Sequence, residues 1–348
     1  MRPKDPNKTS IDPRRLAKEQ GPDGIARVLR SAGYVIRPKT LGRLWLALER
    51  AWPLLAGGPA GTGKTSMIEA LAEGFNVPLY EVTGHPGQHA RDVIGDWNRR
   101  GQDRAEDAAI AAGLTLEEAG RRRWSGEYFE CGEVLDAYRE AARAAESGDP
   151  PPALLIDEVE KLPVPIQHTL FQPLARGFAA VPKLEGLIGV RDLKHAPIVV
   201  LTTNNLKLLD QPLKDRCILT WIDAPAAVEW ISIFHARVPH ASPYLIGATA
   251  KMLAKIRDGM DEITGKPGIR SAVLLLGAMA DHGIEKVTRQ SLELYLGCLA
   301  RDETDETNLE NALPTLERAA NRPDGVIDEA VRREFARTAL HLCKEEAA

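Results

Sequence analysis

Residues Gly58, Pro59, Ala60, Gly61, Thr62, Gly63, Lys64 and Thr65, followed by Ser66, spell the pattern G-x-x-x-x-G-K-T. Set between an apolar run and a helical one, this pattern is built to hold polyphosphate. The glycines let the backbone wrap closely around anionic oxygens, and the exposed amides and the start of the following helix stabilise negative charge. Lys64 is expected to reach the β- and γ-phosphates of ATP, with Pro59, Ala60, Thr62 and Ser66 completing the cradle, and the Thr65 hydroxyl to face magnesium. Such a loop needs a carboxylate-bearing partner, which the run Ala153-Leu154-Leu155-Ile156-Asp157-Glu158 supplies. Asp157 is expected to hold the metal and Glu158 to polarise the attacking water. Neighbouring side chains diverge at a strand end, so the two carboxylates can divide those tasks.

Three further residues are candidates for the same chemistry. Asn204 follows the run Leu201-Thr202-Thr203. In a parallel sheet the strand ends share the ligand-bearing edge, so Asn204 either bonds the γ-phosphate or the water, or is a turn residue closing the sheet. Arg216 immediately precedes a strand beginning at Cys217, where it either pairs with Asp215 or projects toward a neighbouring subunit. Arg270, after Pro267-Gly268-Ile269, starts a helical pattern from which it either reaches phosphate or serves only its own helix.

The elements that must position these groups alternate between strand and helix. Trp52 to Leu55, Val77 to Val82, Ala153 to Ile156, Ile198 to Thr202 and Cys217 to Trp221 read as strands, and Ser66 to Ala72, Glu133 to Ala145 and Pro165 to Leu174 as helices. The run Ser147-Gly148-Asp149-Pro150-Pro151-Pro152 ends the second of these helices. Val181 to Val190 reads as a hairpin or an irregular loop. This order predicts an α/β class with a mostly parallel sheet covered by helices. Residues 1–20 read as a loose polar arm, with a short helix at Ile25 to Leu29, a short strand at Gly33 to Ile36 and a packed helix at Leu41 to Ala51. After Pro225 the strand signal stops, and five helices are expected: Ala226 to Phe234, Ala248 to Ile256, Ser271 to His282, Thr288 to Cys298 and Ile327 to Leu342. The expected partition is therefore a polar arm (1–20), an α/β core (21–225) with an insertion near 98–123, and a smaller helical domain with C-terminal helices (226–348).

Composition narrows the function classes. Lys and Arg number 45 against 49 Asp and Glu, so the formal net charge of −4 provides no general attraction to nucleic acid or acidic lipid. Cys131, Cys217, Cys298 and Cys343 form no CxxC pair, which disfavours a structural zinc site or a disulfide scaffold. His85, His89, His168 and His195 make no metal spacing with them. The start, MRPKDPNKTSIDPRR, lacks the apolar core of a signal peptide, and no stretch has the length of a membrane span. A cytoplasmic protein without membrane insertion is the expectation.

Taken in order, these motifs resemble the AAA+ superfamily and, within it, the MoxR-like ATPases related to the activators of Rubisco and of nitric oxide reductase. The resemblance covers roughly residues 41–282. It implies that Gly58, Gly61, Gly63, Lys64 and Thr65 are the Walker A loop, Asp157 and Glu158 Walker B, Asn204 sensor 1 and Arg270 sensor 2. Arg216, in Leu213-Lys214-Asp215-Arg216-Cys217, looks like the arginine finger given to the adjacent subunit. The stretches Thr83-Gly84-His85, Asp92-Val93-Ile94-Gly95 and Val159-Glu160-Lys161-Leu162-Pro163 look like family loops that face the pore or the substrate. The resemblance further implies a homo-oligomeric ring, commonly a hexamer, that remodels a protein client, with a separate von Willebrand factor A protein as partner. Two departures stand out: Asn205 occupies a place where proline often follows the sensor asparagine, and the insertion lengthens the stretch between Lys64 and Asp157.

Two other classes share the motifs. A nucleic-acid motor or restriction-system ATPase would need a basic groove. Arg99, Arg100, Arg104 and Arg121 to Arg123 are candidates, but Asp103, Glu106, Asp107, Glu117 and Glu118 lie among them. A non-hydrolysing nucleotide-dependent scaffold is the other, and the retained Glu158 counts against it.

Overall fold

Five short runs of apolar and β-branched residues form one parallel sheet in a computed structural model, which describes the backbone of residues 1–345 and the side chains of residues 1–337. Across the sheet the strands run Leu79–Thr83, Ala153–Asp157, Ile198–Thr203, Leu54–Gly57 and Ile218–Trp221. Parallel neighbours require crossover connections, and the helices that make them cover the faces of the sheet. Ile198–Thr203, near the centre, is accordingly buried at every position. The register sets Thr83 opposite Asp157, Ile156 opposite Leu201, and Gly57 opposite both Thr203 and Trp221. The C-terminal ends of the strands therefore meet along one edge. The expected α/β class with a parallel sheet covered by helices is what the chain adopts.

Helix Glu133–Ser147 illustrates why the flanking layers form. Val134, Leu135, Ala137 and Tyr138 recur at helical spacing and are buried with Leu154, Ile156, Val199 and Leu201 of the sheet. Gly148 ends the helix in the left-handed conformation. Near residues 98–123 the chain forms helices Arg99–Ala111 and Leu116–Arg122, the second started by a capping box of Thr115 and Glu118. A two-stranded antiparallel ladder, Gly95–Trp97 with Phe129–Cys131, closes the base of this excursion, and Trp97 packs edge-on against Trp124 and Phe129.

Several expectations are corrected. The chain is helical from Pro13, not a loose arm to residue 20. Helix Pro13–Ser31 is capped by Asp12 and kinked at Gly21, and Leu16, Ala17, Ile25 and Leu29 are buried along it. Arg14 is buried too, donating to the carbonyls of Lys194 (2.5 Å) and Pro197 (3.1 Å), and burial pushes its guanidinium down to about 10. Ahead of this helix, Arg2 forms an antiparallel bridge with Leu79. Gly33 to Ile36 is a turn and extended linker, not a strand. The helix expected at Pro165 to Leu174 is two short ones, Val164–Thr169 and Phe171–Arg176, and Phe178–Ala179 pairs with Ile188–Gly189 as a minimal hairpin.

The chain divides into two units: Met1–Ala32, Ile36–Gly58 and Lys64–Ile222 form the first, and Gly33–Val35, Pro59–Gly63 and the chain from Asp223 onward the second. The second unit is helical, with Trp230, Phe234, Ile246, Leu276, Leu309 and Leu316 in its core. Its longest described helices include Glu303–Asn321, which is absent from the five expected helices. The reason is local: Asp302 caps the helix, and buried Asp305 accepts the backbone amides of Thr264 and Gly265 at 3.0 and 3.1 Å. No helix among the described residues is long and apolar enough to cross a membrane.

Candidate functional site

The strand Leu54–Gly57 runs into a loop whose glycines adopt backbone angles that other residues avoid: φ is 154° at Gly58, 76° at Gly61 and 88° at Gly63. The helix Lys64–Phe75 starts directly from it, aiming its first amides at the strand edge. Thr62 is buried and donates to the Pro59 carbonyl at 3.0 Å, while Pro59, Ala60 and Gly61 are exposed and Ser66 is half-buried on the first helical turn. Inside the second unit, the Gly61 carbonyl accepts the Ile269 amide at 2.9 Å.

Lys64 is buried, and its Nζ donates to the Gly58 carbonyl and to Asn204 Oδ1, each at 2.9 Å. Burial pushes the ammonium below its ordinary pKa, against the opposing pull of Asp157, Glu160 and Glu158. An anion arriving at Nζ offsets that burial cost, which is the electrostatic condition for binding phosphate.

Asp157 ends its strand beside Thr202 of the neighbouring strand. Its Oδ1 accepts from the Thr65 hydroxyl at 3.0 Å and from the Thr202 hydroxyl, whose oxygen in turn accepts the Glu158 amide at 3.0 Å. One carboxylate and one hydroxyl side by side suit a magnesium ion, which takes hard oxygen ligands and keeps most of its shell as water and phosphate. Among the described residues no cluster of three or more His, Cys, Asp or Glu could hold a metal.

Glu158 turns away from Asp157 because its backbone is left-handed, with φ 52° and ψ 46°. For a residue with a side chain this costs on the order of 1–3 kcal/mol, a strain that surrounding contacts must hold in place. They do so on several sides. Asn204 Nδ2 donates to Glu158 Oε1 at 3.0 Å, Lys161 Nζ to Oε2 at 2.6 Å, and the Asn204 amide to Glu160 Oε1 at 2.9 Å. Gly84 donates its amide to the Asp157 carbonyl at 2.8 Å, and a Cβ there would lie 2.4 Å from the Glu158 carbonyl oxygen, so only glycine fits.

Lys64, Thr65, Asp157, Glu158 and Asn204 thus lie within one hydrogen-bonded group, from two strand ends and one helix start. Arg216, in the same unit, lies outside it. Arg216 donates to the Pro212 carbonyl at 2.6 Å and places its guanidinium 4.7 Å from the Phe171 ring centre, while Asp215 accepts from Gln211 instead. Arg270 is exposed as the second residue of helix Ile269–Asp281. Burial pushes the thiols of Cys131 and Cys217 up to about 11 and about 12, so neither is a ready nucleophile; Cys343 lies outside the described side chains. The arginines near residues 98–123 include Arg123, paired with Glu106 and Asp103, and Arg121, paired with Glu117.

Sequence reasoning missed four participants: Thr202, Glu160, Lys161 as a partner of Glu158, and Gly84 as a point of close approach. The strand register carried the signal for Thr202, since parallel pairing of Ile156 with Leu201 puts Thr202 next to Asp157. The spacing of three between Glu158 and Lys161 was legible, but its meaning depended on a 3-10 turn at Val159–Lys161.

Residues 53–217 match the family model of the AAA domain, dynein-related subfamily. Two curated relatives are similar over shorter stretches. The denitrification regulatory protein NirQ of Stutzerimonas stutzeri is 37% identical over 59 residues, 16% of this chain and 22% of the relative. The protein of the same description from Pseudomonas aeruginosa is 41% identical over 51 residues, 14% of this chain and 20% of the relative. The chain spans about a fifth of the length of these curated relatives.

Proposed function

We propose that the chain, whose residues 53–217 match the AAA domain model, hydrolyses ATP with magnesium and uses turnover to remodel or activate a protein client, working as a ring of its own copies. The observation that carries this reading is the chain of bonds from Lys64 through Asn204 to Glu158, beside the Thr65 and Asp157 pair. In this reading Lys64 is the phosphate-facing cation, Asn204 a polar relay and Glu158 the carboxylate base, parts that suit in-line attack on a γ-phosphate.

In the proposed step, Glu158 accepts a proton from water as the water oxygen bonds the γ-phosphorus. The bond from that phosphorus to the bridging oxygen breaks, and ADP leaves with the electron pair. Lys64 meets the charge developing on the phosphoryl oxygens, and Asn204 keeps Glu158 and Lys64 in register. Thr65 and Asp157 would hold magnesium, which would supply charge neutralisation at the phosphate oxygens. Arg216 is assigned to the nucleotide of an adjacent copy and Arg270 to that of its own chain, roles that rest on the family resemblance and on their positions at a strand start and a helix start.

A regulatory role accords with the similarity to the denitrification regulatory proteins NirQ, and a protein client with a separate von Willebrand factor A protein is what the resemblance implies. The ion pairs of Arg121 and Arg123 with Glu117, Glu106 and Asp103 favour this over a nucleic-acid motor. The test is phosphate release from ATP by the purified chain with magnesium, with EDTA, and with added DNA or RNA. Release that needs magnesium and ignores nucleic acid supports the reading. Binding of ATP without release would favour the scaffold, and stimulation by nucleic acid the motor.

A further inference from the structure

Lys161 takes no part in the proposed hydrolytic step, yet it makes one of the shortest polar contacts in the site. The 3-10 turn Val159–Lys161 brings residue 161 over residue 158, closed by the Lys161 amide donating to the Glu158 carbonyl at 2.9 Å. The Lys161 ammonium then bonds Glu158 Oε2 at 2.6 Å, with the lysine side chain 47% and the glutamate side chain 29% exposed. The turn itself is tied to the sensor strand, because Glu160 Oε1 accepts the Asn204 amide at 2.9 Å. Asn204 Nδ2 takes the other oxygen of Glu158, so the carboxylate is held from both sides.

We propose that Lys161 is a positioning residue that restrains Glu158, so that the rate of water activation is set by whether the Lys161 ammonium is engaged on Oε2 or drawn away from it. The inference rests on the reading of Glu158 as the base for hydrolysis. A water at Oε2 competes with an ammonium whose bond is charge-assisted and stronger than that of a neutral donor. Moving Lys161 aside leaves Asn204 to orient the carboxylate and opens Oε2 to water. Lys64 and Thr65 do not contact Lys161 in the described bonds, so nucleotide affinity should be indifferent to it.

The experiment measures steady-state phosphate release across ATP concentrations for wild type, Lys161→Met, Lys161→Arg and the double variant Lys161→Met with Glu158→Gln. An exposed ion pair of this kind is a modest restraint, so Lys161→Met is expected to raise kcat about threefold to fivefold with KM within about a factor of two. Lys161→Arg, which restores a cation, should return kcat toward wild type, and the double variant should lose the gain because it acts through Glu158. An unchanged or lowered kcat in Lys161→Met, with wild type active, overturns the restraint and leaves the ATPase reading standing. A gain that persists in the double variant also overturns it. Absence of turnover in wild type removes the ATPase reading itself, and the restraint with it.

Discussion

Replacing Asn204 by alanine removes two bonds at once: the acceptor for Lys64 at 2.9 Å and the donor to Glu158 at 3.0 Å. The backbone tie to Glu160 at 2.9 Å remains, so the strand end should keep its place. Each lost bond has a charged partner, a class that contributes about 1.5–3 kcal/mol. Lys64 keeps the Gly58 carbonyl, and Glu158 keeps Lys161, so neither group is stranded and the low end applies. Because the two losses share one residue they do not sum fully, and about 2.7 kcal/mol is a reasonable total, which corresponds to a kcat lowered on the order of 100-fold. Binding should suffer less, since phosphate itself supplies Lys64 with a partner; the expected change in ATP affinity is within about fivefold. Steady-state phosphate release gives kcat, and titration with a fluorescent nucleotide gives affinity. A kcat within threefold of wild type, or a loss confined to affinity, would refute the relay role of Asn204.

Thr202→Val keeps the shape of a fully buried side chain but removes its bond to Asp157 and leaves the Glu158 amide without its acceptor. The expected cost is about 1–3 kcal/mol in the denaturant stability of the first unit, together with a higher magnesium requirement for turnover; unchanged values of both would show that Thr202 only fills space. Arg216→Ala is expected to bind ATP yet lose about 10³-fold or more in turnover, and mixing it with Lys64→Ala should restore part of the activity where subunits exchange. If exchanged mixtures never exceed the sum of the two separate proteins, Arg216 does not act across a subunit boundary.

The strands of the sheet were legible because each is a short apolar run closed by a turn signal, and their expected spans differ from the observed ones by only a few residues. Leu79–Thr83 and Ala153–Asp157 show this well. The phosphate loop was equally legible, since its glycine spacing encodes a backbone path that no other local structure needs. The N-terminal helix was misread although Asp12 and Pro13 are a good helix start, because the polar composition around them hid a buried face that only tertiary contact reveals. Arg14 shows the limit most clearly: a charged residue reads as exposed, and the carbonyls of Lys194 and Pro197 that make its burial tolerable lie far along the chain. The same holds inside the candidate site. Asp157 and Glu158 were visible as a pair, but Thr202, Lys161 and Gly84 take their meaning from register, turn geometry and close backbone approach, which residue types alone do not express.

Lys64 is assigned to nucleotide binding as well as to charge stabilisation, whereas Glu158 is assigned to the chemical step alone. Nucleotide affinity and phosphate release measured side by side on Lys64→Ala and Glu158→Gln test this assignment most directly. Lys64→Ala should lose affinity and, with it, turnover, because the phosphate-facing cation is gone. Glu158→Gln keeps a side chain of nearly the same shape but cannot take the proton from water, so it should bind ATP as wild type does and release phosphate at a rate lowered about 10²-fold or more. Hydrolysis by Glu158→Gln at the wild-type rate under saturating magnesium would contradict the account.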